Sequence, residues 1–253
     1  MRTGVVAVAI AATLGAAGLT GCESKTGVAG FVGSTAIETN QLSGYVDRGA
    51  AAAAGAQANV SRAEIQEFWL STLIERDLAR SAANAQGITL GPTDATVFLS
   101  RYAPFNGGLD QLRQSAAQIG IAAEDLPVLF EAWTYENRLA DLVAPDLLAP
   151  DTAARQAYEQ LRASYQGQTY EQLAPDLRQL LVFDQRRSAV LPVLQEESRR
   201  IGVRINPRFG TWDVQRLGIG APPTDLAQAA TPSAVPPITG GEADTVPAPA
   251  PAP

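Results

Sequence analysis

Ile65, Phe68, Trp69, Thr72 and Leu73 stand at i, i+3, i+4, i+7 and i+8, the spacing of one face of an amphipathic helix. Ser61 and Glu64 precede that face as a capping box, in which hydroxyl and carboxylate each satisfy a backbone N–H that the first turn leaves free. Gly87 supplies the stop. The spacing predicts a helix from Ser61 to Gln86, about 39 Å long at about 1.5 Å per residue. That length suits a spine for its neighbours. Leu42, Tyr45, Val46 and Ala50–Ala54 predict an earlier helix with Thr39 as its N-cap. It carries Gly49 inside and ends near Gly55.

Further along, Gly91-Pro92 opens a short helix with Val97, Phe98 and Tyr102, which Pro104 breaks. Asn106-Gly107-Gly108 is a turn. Leu109, Leu112, Ala116 and Ile119 predict the next helix, ended by Gly120. Leu126, Leu129, Phe130, Trp133, Leu139, Leu142 and Val143 cover more than one face and predict a buried helix. Asp151 to Tyr165 reads as another, closed by Gly167. Thr169–Gln172 repeats the capping-box pattern. A last long helix is expected from near Pro175 to Ile201, with a kink at Pro192. Gly30–Gly33 and Val203–Ile205 are short strand candidates. From Ala221 onward nine of the 17 prolines fall among Ala, Thr and Gly, a composition that cannot bury enough apolar surface to order itself. The expected fold class is therefore mainly α, as one helical domain.

The N-terminus changes the picture. Arg2 is followed by an apolar run from Val5 to Leu19, too short for a comfortable membrane span of roughly 20 residues and built like a secretory signal. It ends at Leu19-Thr20-Gly21-Cys22, which resembles the lipobox of bacterial lipoproteins. The resemblance implies cleavage before Cys22 and a diacylglycerol on its thiol. Two acyl chains are a sufficient anchor, whereas one binds marginally. The alternative is an ordinary secretory signal with an accidental cysteine. The expected organisation is a signal peptide at 1–21, a lipidated tether at 22–30, a helical domain at 31–217 and a disordered Pro/Ala-rich tail at 218–253.

Composition narrows the chemistry. The chain has one cysteine, no histidine and a net charge of −7. Loss of residues 1–21 removes Arg2 and no acid, giving −8. This balance argues against nucleic acid as a partner. Without histidine the usual general base and the commonest metal ligand are gone. No nucleotide motif is present, since Asn106-Gly107-Gly108 lacks the spacing and the lysine of a phosphate loop. Neither a cofactor nor a metal site nor catalysis is expected. Glu124-Asp125 and Glu196-Glu197 are adjacent on helices, point apart and read as solvated faces.

One segment is more specific. Asn206-Pro207-Arg208-Phe209-Gly210-Thr211-Trp212-Asp213, following Gly202-Val203-Arg204-Ile205, resembles the C-terminal signature of SurA/PrsA-type foldases in their lipoprotein form from high-GC Gram-positive bacteria. Thr39–Leu42 is similar to the opening of that N-terminal domain. Leu73–Leu78 with Gly87-Ile88-Thr89 is similar to its long second helix. The resemblance implies a SurA-N-like helical chaperone domain in which residues near Phe31–Ile37 pair with Val203–Ile205. It also implies unfolded or newly exported polypeptides as partners, beside the lipid bilayer reached through Cys22. The parvulin-type isomerase domain that many relatives insert has no room between Tyr165 and the next helix, so isomerase activity is not carried over. An adaptor lipoprotein for one envelope partner is the alternative.

Phe68, Trp69, Tyr102, Phe105 and Trp133 are the candidates for contacting polypeptide. Helical spacing favours a core role for Phe68, Trp69 and Trp133, while Tyr102 and Phe105 flank a turn. In the signature, Pro207 and Gly210 are expected to shape a turn, with Phe209 and Trp212 anchoring it and Arg208 pairing with a carboxylate or carbonyl.

Overall fold

A computed structural model describes residues 27–165 and 167–220. Leu19, Thr20, Gly21, Cys22 and everything from 221 onward lie outside the described residues. The chain enters as β1 (Val28–Val32) and returns as β2 (Thr35–Glu38). Gly33, at φ 59°, makes the turn between them. Helices α1 (Thr39–Gly55), α2 (Arg62–Ala85) and α3 (Asp94–Tyr102) follow, then a 3-10 turn at Ala103–Asn106 and α4 (Leu109–Gln118). After α5 (Leu126–Val143) come α6 (Asp151–Leu161), a second 3-10 turn at Arg162–Tyr165, α7 (Tyr170–Leu180) and α8 (Phe183–Ile201). Three short strands close the fold: β3 (Val203–Ile205), β4 (Thr211–Asp213) and β5 (Gly218–Gly220). The protein is mainly helical with a small antiparallel sheet.

The two ends of the domain meet in that sheet. Its order is β2-β1-β3, with Gly30 opposite Ile205, Phe31 opposite Arg204 and Val32 opposite Val203. Of the expected Phe31–Ile37 stretch, only β1 reaches β3; β2 pairs with the other edge of β1. A hairpin of β4 and β5 stands beside it. Paired strands extend past both expected bounds of 31 and 217: β1 begins at Val28, and the Gly-Ile-Gly strand to Gly220 pairs its backbone with β4 and buries Ile219.

Helix α2 is the spine that its apolar face predicts. It packs against α1, α5, α8, β1 and β5. Its Leu70, Leu73, Ile74 and Leu78 are fully buried, each contributing roughly 1.5–3 kcal/mol by leaving water. The capping box is present in both halves: the Glu64 N–H donates to Ser61 Oγ at 3.2 Å and the Ser61 N–H to Glu64 Oε2 at 2.7 Å. Gly49 on α1 and Gly120 after α4 let backbones touch. A Cβ on Gly49 would stand 2.2 Å from the Gly120 carbonyl oxygen, and one on Gly120 2.4 Å from Ile65.

Several expectations are corrected. Thr39 does not cap α1. Its N–H donates to the Gly27 carbonyl at 2.7 Å, and its hydroxyl accepts from Arg208 at 3.0 Å. The long helix expected over 175–201 is two helices, parted at Leu181-Val182. The break lets Leu173 and Leu177 serve one apolar cluster while Val190 and Leu194 serve another. The adjacent acid pairs are not both solvated. Asp125 is buried and held by Arg48 Nε and Nη2 at 2.9 and 2.7 Å. Glu197 is buried against Arg200 and the Ser81 hydroxyl.

Candidate functional site

The second apolar cluster defines a small lobe. Ala154 and Tyr158 of α6, Tyr165, and Tyr170, Leu173 and Leu177 of α7 pack on one another, with Phe105 of the body leaning in. The large cluster, from α1, α2, α5, α8 and the sheet, is a separate body. Polar links join the two. Arg101 of α3 donates to Asp176 of α7, and Arg178 Nε to the Ala149 carbonyl at 2.7 Å. Gln179 accepts from Asn137 at 2.7 Å and donates to Asp141 at 3.1 Å.

A cleft of about 640 Å³ opens where lobe and body meet. Its body side is shaped by a local sequence event. Pro104 converts the end of α3 into a 3-10 turn, and Gly107 and Gly108, at φ 78° and 99°, swing the chain into α4. Ala103, Pro104 and Leu126 form a buried apolar floor, with Leu99 and Pro127 half-buried. Leu109 stands at the rim, 38% exposed. Tyr165 closes the lobe side; its hydroxyl lies 3.4 Å from the Arg101 carbonyl. Burial pushes that phenol up to about 12, so it stays a neutral donor. Thr96, Ser100, Ser164, Gln168, Arg101 and Arg113 supply the polar edge. The volume falls in the range that accommodates small ligands or short chain segments. Apolar floor and hydroxyl, amide and guanidinium rim are suited to holding a ligand.

The five aromatic candidates do not form one groove. Trp69 is fully buried in the body. It stacks on Tyr45 at 4.5 Å and meets Phe68 edge-on at 5.5 Å; its indole N–H has no partner among the described residues. Phe68 is half-buried against the same core. Trp69 thus presents no surface to a ligand in this fold and packs as core, the role its helical spacing favours. Tyr102 and Trp133 do come together, 5.5 Å apart, inside a cluster with Phe98, Phe130 and Phe183. Tyr102 and Phe105 line a shallower hollow of about 280 Å³ with Leu181 and Phe183. The turn at Ala103–Asn106 borders both openings. The residues lining the large cleft lay outside the sequence expectation. Exposed Leu109 and the Pro104/Gly107-Gly108 turn were the available signals.

The signature segment ties the two ends of the described fold together. Asn206 ties its N–H to the Ala29 carbonyl at 2.9 Å and its amide to the Val28 carbonyl at 3.3 Å. Its Oδ1 accepts from the Arg208 N–H across Pro207 at 3.2 Å. Arg208 lies over Phe209 and donates to the Thr39 hydroxyl, not to a carboxylate or carbonyl. Gly210 has φ 114°, and a Cβ there would meet the Gly220 carbonyl oxygen at 2.5 Å. Trp212 donates to Ser198 Oγ at 2.9 Å. Asp213 caps the next turn by accepting from the Gln215 N–H at 2.8 Å.

Two buried ionic centres were not legible at all. Arg186 of α8 is 0% exposed. It donates to Asn137 Oδ1 at 2.9 Å, to the Asn137 and Leu147 carbonyls at 3.1 Å and to Asp141 at 2.5 Å. Arg187, its neighbour, bonds Glu136 of α5 and lies 3.7 Å from Glu75 of α2. Burial and the nearby Glu136 charge push Glu75 up to about 7, against the pull of Arg187. Glu136 is also raised by burial, partly offset by Arg187.

No helix among the described residues is long and apolar enough to cross a membrane. No protein-family model, curated protein or solved structure matches the chain.

Proposed function

We propose that this protein is an extracytoplasmic lipoprotein, anchored through Cys22, that binds unfolded secreted or envelope polypeptides transiently and delays their aggregation. The observation that carries this reading is the cleft between lobe and body. It offers an apolar floor to a hydrophobic side chain and a polar rim to the backbone beside it. A chain segment needs both, because its amide groups cannot be buried unpaired. The fold class and the sheet joining the domain ends agree with the SurA-N-like resemblance of Asn206–Asp213, which supports the same reading. Binding through this cleft uses no nucleotide and no prolyl isomerisation.

The purified protein is expected to slow aggregation of an unfolded model protein at near-equimolar ratio. Leu109→Glu should lose most of that effect while keeping the fold, since Leu109 is already exposed and an acid in the first turn favours the α4 dipole. No protection at several-fold excess would defeat the proposal. Crosslinking in cells to one stoichiometric partner, rather than to many clients, would make the protein an adaptor instead.

A further inference from the structure

The chain is acidic overall, at −7, yet its last described stretch is basic. From Glu196 to Gly220 five exposed arginines, Arg199, Arg200, Arg204, Arg208 and Arg216, stand against Glu196, Glu197 and Asp213. Three of them have carboxylate partners: Arg199 with Glu196, Arg200 with Glu197 and Arg216 with Asp213. Among the described residues no carboxylate lies in ion-pair range of Arg204 or Arg208. Each is instead laid over a ring. Arg204 sits 5.3 Å from the Phe31 centroid and Arg208 4.5 Å from that of Phe209. Stacking holds a guanidinium by its face and leaves its N–H edges for a phosphate fork, apart from the Arg208 Nη2, which donates to the Thr39 hydroxyl. Antiparallel register puts Ala36, Phe31 and Arg204 side by side across the sheet. Alternation with buried Val32 and Ile37 turns that row away from the core.

The position of this face is tied to the anchor. Arg208 donates to Thr39, whose N–H is bonded to Gly27, the first described residue. Five peptide steps separate Gly27 from Cys22, a reach of at most about 18 Å. On the reading of Cys22 as the acylated residue, Gly27 and the strand it opens are the first described residues after the anchor. We infer that the outer face of the β2-β1-β3 sheet, through Arg204, together with Arg208 of the turn that follows β3, docks on the anionic phosphate headgroups of the membrane that carries the anchor. Of the two acids in the five strands, Asp213 is paired with Arg216 and Glu38 stands at the end of β2. The docked sheet fixes how the domain stands on its tether.

The experiment uses the acylated full chain in vesicles of phosphatidylcholine, with and without one-third phosphatidylglycerol. A dye is placed at Gln41→Cys, on the first turn of α1, and a second at Glu159→Cys on α6; quenching by nitroxide lipids reads the distance to the bilayer. The dye at 41 should be quenched more on the anionic vesicles and the dye at 159 should not. Arg204→Gln with Arg208→Gln should abolish the gain, while Arg62→Gln with Arg138→Gln, equal in charge, should keep it. Arg204→Lys with Arg208→Lys, the gentler change, should also keep most of it. Equal quenching on both vesicle types, or a gain that survives loss of both arginines, overturns the inference. Flotation of the Cys22→Ala chain reads the anchor separately. Should acylation prove absent, the soluble protein's affinity for anionic vesicles should still fall about thirtyfold in the double Gln variant, at about fivefold per arginine; no fall overturns docking by these residues.

Discussion

The body and the small lobe are held by different forces. The body closes over a continuous apolar cluster in which Trp69, Leu70, Leu73, Ile74 and Phe130 are all fully buried. The lobe has a small tyrosine-rich cluster of its own and is fastened to the body through arginine, amide and carbonyl groups. Apolar packing of that extent is cooperative, whereas exposed ion pairs contribute about 0–1 kcal/mol each. The difference teaches where motion is cheap. Polar links carry much of the contact between lobe and body, with Phe105 the apolar exception, and the cleft lies along that seam.

The comparison breaks most severely if the body is damaged. Trp69→Ala should cost about 3–5 kcal/mol and lower one cooperative thermal transition for the whole domain, read by calorimetry. Were Trp69 a binding residue, stability would be spared instead. Leu173→Ala, in the lobe, should cost about 2–4 kcal/mol but locally. Native-state hydrogen exchange should show lost protection in α6 and α7 with α2 unaffected; equal loss in α2 would mean that the two regions are one unit.

The Glu75 carboxyl tests the body from within. Folding holds its proton up to about pH 7, whereas an unfolded glutamate releases it near pH 4.3. Between those values the folded state carries the extra proton, so stability falls as pH rises through that window. The change is at most about 4 kcal/mol, and less because the side chain keeps some solvent contact at 26% exposure. Glu75→Gln should flatten the slope in urea titrations at pH 5 and 8; an unchanged slope would reject the assignment. The smallest effect is expected from Arg101→Ala. It removes the Asp176 pair at the seam for about 1 kcal/mol, and should raise exchange in α7 with little change in Tm.

The helices were readable because their causes are local. Ser61/Glu64 and Thr169/Gln172 announce their capping boxes, and the face of α2 repeats over several turns. The break at Leu181-Val182 was not readable, since nothing local interrupts the pattern between Leu177 and Val190. Only the presence of two separate cores requires it. The cleft was hidden for the same reason. Leu99, Leu109, Leu126 and Tyr165 lie on four different segments, and each alone resembles a core residue. Arg186 and Glu136 are surface types by composition; only the packing of α5 against α8 makes them interior.

The claim at the centre is that unfolded polypeptide enters the seam between lobe and body. A photo-crosslinking side chain at Leu109, on the cleft rim, can be compared with one at Ile119, which is 55% exposed at the far end of the α4 segment and lies away from the cleft lining. With an unfolded substrate, position 109 should form adducts and position 119 should not. Equal labelling at both positions, or none at 109, would contradict the account.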